Sequence, residues 1–258
     1  MEKDAPILVT GGTGFVGSYL LRYLVEKGYS NVFALKRETS PMDMVAPVQD
    51  KIKWLTGDLL DVPFLEEALE GKSYVFHCAA VVSFKIGESD EMIRINEEGT
   101  ANIVNVSNFH GIKKLVHVSS IAALGRPKDG AWINEKTSWE TSKLNTNYAI
   151  SKFLSELQVW RGIAEGLTAA IVNPSLILGG GFWDKGTAQM FPTLDKELPF
   201  YTPGGSGVVD VRDVAKFMIL LMESEEHSKR FLLNSENVTY LELFSKIANQ
   251  IGKKAPSI

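Results

Sequence analysis

The sequence predicts an α/β fold, a doubly wound parallel sheet followed by a smaller C-terminal lobe. Three observations carry this. Over the first two thirds of the chain, short apolar runs alternate with longer amphipathic segments, the order that gives parallel strands joined by helices. The runs are apolar almost throughout, which suits strands covered on both faces. After Pro174 that rhythm stops, and glycine-rich, aromatic sequence takes over.

The expected strands are "PILVT" (6–10), "NVFALK" (31–36), "KIKWLT" (51–56), "SYVFHC" (73–78), "KLVHVSS" (114–120) and "TAAIVNP" (168–174). Between them lie helical segments such as "VGSYLLRYLVEKG", "VPFLEEALEG" and "EMIRINEEGTANIVNVSNFHG". Beyond Pro174, "SLILGGGFWDKG" reads as a loop. It is followed by "GTAQMFPTLDKEL", a short "PFYTPGGSGVVDV", a helix "RDVAKFMILLMES", a strand "RFLLN" and a helix "YLELFSKIANQIG". The predicted division is 1–174 and 175–258, with an interleaved boundary.

Composition narrows the function classes. Across 258 residues, 45% hydrophobic and 22% charged is the balance of a globular chain able to bury a sizeable core. A net charge of -4 with no long Lys or Arg run argues against nucleic acid as a partner. The single cysteine, Cys78, has no partner within the chain, which suits a reducing compartment, and it ends an apolar run as a small buried filler would. His77, His110, His117 and His227 lack ligand spacing, so no metal site is expected. The start, "MEKDAPILVTGG", has no signal-peptide pattern, and no window reaches membrane length. A cytoplasmic location without a membrane partner is the expectation.

"VTGGTGFVGSYLL" follows the first strand and opens the first helix, matching G-x-G-x-x-G through Gly12, Gly14 and Gly17 and extending back to Gly11. Glycine is needed where a Cβ would block a tight turn and the approach of a pyrophosphate, which the helix N-terminus then faces. In this position the pattern points to a dinucleotide and a Rossmann-type sheet rather than a structural turn. Gly11, Gly12, Thr13, Gly14, Phe15, Val16 and Gly17 are the candidates for holding it. An acidic residue about 20 positions on would bind the ribose 2′-hydroxyl of NAD. Here the second strand ends "FALKRE", placing Lys36 and Arg37 where a 2′-phosphate would sit, with Glu38 the competing choice. NADP(H) is therefore the preferred cofactor and NAD(H) the alternative.

Tyr148 and Lys152, in "NTNYAISKFLSE", stand four residues apart, on one face of a helix. Spacing alone cannot separate a proton-handling pair from two ordinary helix residues. Their company does. "TGGTGFVG", "GDLLD", "HCAA", "INEEGTANI", "VSSIAALG", "YAISK", "NPSLILG" and "VDVRDVA" occur in this order, and the chain resembles the extended short-chain dehydrogenase/reductases grouped as NAD-dependent epimerase/dehydratases, over nearly its whole length.

That resemblance implies roles. Asp58, with Leu59 beside it, lies against the adenine, and Ala79 and Ala80 border the pyrophosphate and nicotinamide ribose. Asn96 sits beside the catalytic pair. Ser120 is the catalytic serine, with Ser119 the fallback and a further cofactor contact. Tyr148 is the acid/base, Lys152 holds the nicotinamide ribose, and Pro174 with Ser175 flanks the nicotinamide. Positive charge from Lys152 and from oxidised nicotinamide is expected to lower the tyrosine from its ordinary value near 10.

The same resemblance leaves the substrate open among sugar nucleotides, hydroxysteroids and other carbonyl compounds. Sugar-nucleotide members usually carry an Arg-Asp-Phe segment where this chain has Ser206, Gly207 and Val208. Apolar candidates for the pocket are Val81, Val82, Phe84, Trp132, Trp139, Phe182 and Trp183, of which Val82, Phe84 and Phe182 are chosen as substrate contacts. The chain thus looks nearest the dihydroflavonol reductase and hydroxysteroid dehydrogenase branch. The expected activity is NADP-dependent interconversion of a carbonyl and an alcohol on a small or medium apolar substrate. A sugar-nucleotide epimerase/dehydratase and a non-catalytic NADP-binding sensor or scaffold are the alternatives. A homodimer through the helices of Asn96 and Tyr148 is permitted by Leu157 and Trp160. Family members usually continue past "GKKAPSI", so a shortened C-terminus is a further expectation.

Overall fold

The computed structural model describes residues 1–83, 87–127, 130–184 and 186–257. The candidate substrate residue Phe84 lies outside them. The six expected strands form as β1 (Ile7–Thr10), β2 (Val32–Lys36), β3 (Lys53–Thr56), β4 (Tyr74–His77), β5 (Lys114–Val118) and β6 (Ala169–Pro174). The helices are α1 (Phe15–Glu26), α2 (Val62–Leu69), α3 (Ser89–Phe109), α4 (Asn147–Ala164), α5 (Met190–Asp195), α6 (Val211–Glu223) and α7 (Tyr240–Gln250). Four further strands complete the described set: β7 (Leu176–Leu178), β8 (Gly205–Asp210), β9 (Arg230–Leu233) and β10 (Glu236–Thr239).

The large sheet runs β3-β2-β1-β4-β5-β6-β9, every pair parallel. Strand order reverses between β1 and β4, where Thr10 pairs with His77, so the crevice that binds ligands in such sheets opens beyond these two strand ends. One face is covered by α1 and α6: Leu20, Leu21 and Leu24 meet Val9, Val116 and Met218 in a single apolar cluster. Leu8, Leu65, Ile103, Val104, Leu115 and Val159 form the corresponding cluster under α2, α3 and α4. Each such fully buried aliphatic side chain contributes roughly 1.5–3 kcal/mol by leaving water.

Buried Lys114, at the start of β5, donates to the Leu221 and Ser224 carbonyls at 2.5 and 2.7 Å. It thereby satisfies acceptors that the last turn of α6 leaves open and ties that helix to the sheet. Asp61 caps α2 by accepting from Phe64 N at 3.1 Å, and Thr239 with Glu242 forms a capping box on α7.

Two features after Pro174 differ from the sequence reading. "SLILGGG" is not all loop: Leu176–Leu178 pairs in parallel with β8, which pairs antiparallel with β10 in a second, three-stranded sheet. The three glycines that follow hide so short a strand. "RFLLN" forms β9 as expected, but it lies beside β6 at the edge of the large sheet. The small sheet is covered by α5 and α7 through Leu194, Val208, Val238, Leu243 and Ile247.

Candidate active site

The first βα turn is shaped for an anion. Gly11 adopts φ +66°, and a Cβ there would stand 2.7 Å from the Ala79 backbone. A Cβ on Gly17 would overlap the Gly11 carbonyl oxygen. The turn closes through Gly14 N to Gly11 O at 2.9 Å. Gly14 supplies no side-chain cap to α1, and no acid stands in the first turn, so the helix presents its positive end unopposed. Phe15 and Val16 turn their side chains away from that end. The Phe15 ring meets Tyr19 edge-on at 6.0 Å and lies under Gly181, and Val16 packs on the core. Their backbone amides are what the turn offers a phosphate.

At the end of β2, Lys36 is half-buried while Arg37 and Glu38 are exposed. Among the described residues neither cation has an ion-pair partner. Asp58 is exposed, and one carboxylate oxygen accepts from Leu60 N at 2.9 Å in its own turn. Leu59 packs against Gly99, and its carbonyl accepts from Asn102 at 3.0 Å. Ala79 N donates to Thr10 Oγ1 at 3.2 Å, while Ala80 is exposed at the crevice.

Asn96 is 97% removed from solvent, at 3% exposure, and its amide clasps the Val81 backbone. Oδ1 accepts from Val81 N at 2.7 Å, and Nδ2 donates to Val81 O at 2.9 Å and to Ser151 Oγ at 3.1 Å. The side chain is fully committed to shaping the loop after β4. Val82, next along that loop, is exposed.

Tyr148 and Lys152 occupy the first turns of α4, whose N-cap Thr146 accepts from Ala149 N at 3.1 Å. The Ser120 side chain lies beside the Tyr148 phenol. Ser120 Oγ also accepts from Ala122 N at 3.1 Å, which fixes that oxygen in place. Burial pushes the phenol above its ordinary value, and the Ser120 side chain pulls it partly back. Lys152, expected to draw the tyrosine down together with oxidised nicotinamide, donates its Nζ to Val118 O at 2.9 Å. Burial brings the Lys152 ammonium down to about 8, while Glu156 opposes that fall.

Ser119 faces the other way. Its Oγ donates to Glu156 Oε2 at 2.6 Å. Pro174 ends β6 opposite Leu233, and the buried Ser175 hydroxyl finds no hydrogen-bond partner among the described residues. Of the aromatic candidates, Trp139 stacks on Phe153 at 4.4 Å and 9°, on the Glu156 side of α4. Trp132 and Trp183 are exposed, and Trp183 meets Phe191 edge-on at 5.4 Å, with Phe182 half-buried before it. Among the described residues no three His, Cys, Asp or Glu side chains gather as a metal site requires. No helix among them is long and apolar enough to cross a membrane.

The model of the NAD-dependent epimerase/dehydratase family matches residues 7–233. The chain belongs to that family. As a member of the epimerase/dehydratase family, it is similar to the putative dihydroflavonol 4-reductase of Synechocystis sp., with 34% identity over 96% of this chain and 73% of that one. It is also similar to cinnamoyl-CoA reductase 1 of Petunia hybrida, with 28% identity over 93% of this chain and 76% of that one. Among solved structures, the crystal structure of gox2253 superposes with a TM-score of 0.91 at 32% identity, covering 99% of this chain and 77% of that one. The protein is an NAD(P)-dependent reductase/dehydrogenase of the extended short-chain type, acting on a small molecule.

Buried polar residues that local sequence pattern does not single out as site residues stand near the pair: Thr10, His77, Thr100, Glu156 and Asn173. One signal was readable. Glu156 follows Lys152 by four residues, an acid on the same helix face.

Proposed function

We propose that this protein reduces a carbonyl to an alcohol, and catalyses the reverse, with NADP(H) on a small or medium apolar substrate. The observation that carries the reading is the Tyr148 phenol facing the Ser120 side chain, with Lys152 one helical turn on. The residues fit a dinucleotide: the turn at Gly11–Gly17 leaves amides and space where a Cβ would intrude. Lys36 and Arg37 would take the 2′-phosphate, Lys152 the nicotinamide ribose, and Ser175 offers a buried hydroxyl at the nicotinamide end. The bound nicotinamide supplies the hydride.

The rest is done by this chain. Tyr148, raised by burial, keeps its proton at neutral pH and can give it to the oxygen as negative charge develops there. Ser120 shares that oxygen by hydrogen bonding, a contribution worth about 2.7–4 kcal/mol where such donors have been removed. Asn96 holds the loop that carries Val82 and so positions it. Residues 175–258 contribute the small sheet with α5 and α7 as the substrate side. The apolar sequence around Phe182 and Trp183, and the dihydroflavonol and cinnamoyl-CoA reductase relatives, support an apolar or aromatic carbonyl substrate. Ser206, Gly207 and Val208 in β8 provide no cation for a nucleotide diphosphate. A cytoplasmic location, and a homodimer through α3 and α4, belong to the same reading.

The test is oxidation of NADPH and NADH, in parallel, against aldehydes, ketones, dihydroflavonols, acyl-CoA thioesters and sugar nucleotides. Turnover with NADPH on an apolar carbonyl supports the reading. Turnover confined to sugar nucleotides, or tight NADPH binding with no turnover anywhere, overturns it in favour of an epimerase/dehydratase or a sensor.

A further inference from the structure

Behind the Ser120–Tyr148 pair lies a buried carboxylate with every acceptor position occupied. Glu156 is only 2% exposed. Its Oε2 accepts from Ser119 Oγ at 2.6 Å and from Asn173 Nδ2 at 2.7 Å. Its Oε1 accepts from Trp160 Nε1 at 3.1 Å and lies 3.2 Å from Arg230 Nη2. The Arg230 guanidinium in turn sits 5.4 Å from the Trp160 ring centroid. A charge this deep is retained only when paired and hydrogen-bonded, and removing one partner of such a pair is costly.

These partners come from four elements and converge on the site. Asn173 Nδ2 also donates to Ser120 O at 2.9 Å, so the amide that grips Glu156 grips the backbone of the serine facing Tyr148. Ser119 N donates to Val172 O at 2.8 Å, and Lys152 Nζ donates to Val118 O at 2.9 Å. The end of β5 is thus held from β6 and from α4, and the α4 anchor is the residue one turn beyond Lys152. The other titratable groups near Lys152 are His77 from β4, Cys78 just beyond that strand, and His117 from β5. The two histidines are buried and held neutral, and the Cys78 thiol is pushed up by desolvation, which leaves Glu156 as the charge of opposite sign that Lys152 faces among the described residues.

We propose that Glu156 is a positioning residue. Its carboxylate, paired with Arg230, fixes the Ser120 turn to the helix of Tyr148 and Lys152 and supplies the negative charge that buried Lys152 faces. The catalytic half of this inference rests on the proposed roles of Ser120, Tyr148 and Lys152; the charge half rests on the one-turn spacing of Lys152 and Glu156 along α4, both buried, and on the attraction between them.

The test is an NMR titration of the full chain carrying 13C at lysine Cε, without cofactor, in the parent and in Glu156→Gln. Lys152→Met assigns the resonance by its loss. The Lys152 midpoint in Glu156→Gln is expected about one pH unit or more below the parent's. Glu156→Asp, which keeps the charge, holds it near the parent's. In NADPH turnover, Glu156→Gln is expected to lose about tenfold or more in kcat with the cofactor KM within about threefold. Where Glu156→Gln does not fold, Arg230→Met is expected to move the midpoint upward, because the carboxylate loses the cation it shares. A midpoint unmoved in the variant that folds overturns the proposal. So does an unchanged kcat in a protein that turns over. A parent without turnover defeats the catalytic reading only, and the midpoint then decides the role of Glu156.

Discussion

Ser119 and Ser120 are adjacent in the chain and face opposite sides of the β5 end. Ser119 Oγ donates to buried Glu156 at 2.6 Å, whereas the Ser120 side chain meets the Tyr148 phenol. The cause is the backbone: Ser120 is extended, at φ -159° and ψ 154°, so successive side chains alternate. The two serines therefore differ in what they can lose. Ser120→Ala should lower kcat about a hundredfold, the scale of one lost oxyanion donor. Ser119→Ala should act mainly on stability, at about 1–3 kcal/mol for a buried acceptor deprived of its donor. Steady-state kinetics and urea denaturation of both variants check this. Equal kcat losses would show that the division is wrong.

Lys36 at the end of β2 and Arg37 just after it have no ion-pair partner among the described residues, and the proposed NADP(H) preference assigns them its 2′-phosphate. Arg37→Ala should weaken NADPH binding by about tenfold or more, as expected for a lost charge-assisted contact, and leave NADH binding within a factor of about two. Fluorescence titration of both nucleotides tests it. A parallel loss for NADH would mean that the cation supports the loop rather than reading the phosphate.

His77 is locked neutral by its neighbours. Thr100 Oγ1 donates to Asn96 O at 2.7 Å, so it accepts from His77 Nε2 at 3.0 Å. Nδ1 is then the acceptor from Thr10 Oγ1 at 2.7 Å. Burial brings His77 down to about 3 and pushes His117, whose ring lies tilted against it at 5.1 Å, well below its ordinary value. The unfolded chain takes up protons near pH 6.5 while the native state refuses them. Their contribution to stability is complete above about 6.5 and is lost as pH falls toward 3, at up to about 1.4 kcal/mol per pH unit for each histidine. Denaturation midpoints between pH 7 and pH 4 should fall accordingly, and His77→Gln should flatten that slope.

Lys152 sets an alkaline limit. Burial brings its ammonium to about 8, whereas the Tyr148 phenol is raised. Reductive turnover needs the charged amine and the protonated phenol, so kcat/KM should fall above about pH 8 as the amine, rather than the phenol, loses its proton. Stability moves the other way: the native state releases this proton before the unfolded chain does, so between about 8 and 10.5 this lysine makes the fold more stable as pH rises. A rate profile flat to about pH 10 would contradict the assignment.

What the sequence could show follows the physics of each element. Strands such as β1 and β5 are legible because burial on both faces makes them largely apolar runs, "ILVT" and "KLVHV", whereas β3, at the sheet edge, has no buried residue. β10, "ENVT", buries Val238 alone and carries no such signal. β9 was visible as a strand, yet its place beside β6 depends on long-range pairing that local pattern does not encode. At the site, the spacing of Tyr148 and Lys152 and the glycine turn could be read along the chain. The opposite facing of Ser119 and Ser120 could not, because Glu156, Asn173 and Arg230 reach that point from three separate elements.

The most direct measurement is Tyr148→Phe assayed beside the parent for NADPH binding and for turnover of the best carbonyl substrate. Removing one oxygen from the partner of Ser120 should abolish turnover by about a thousandfold or more while leaving NADPH affinity within about threefold. Turnover that survives in Tyr148→Phe would contradict the account, since the proton would then come from another group.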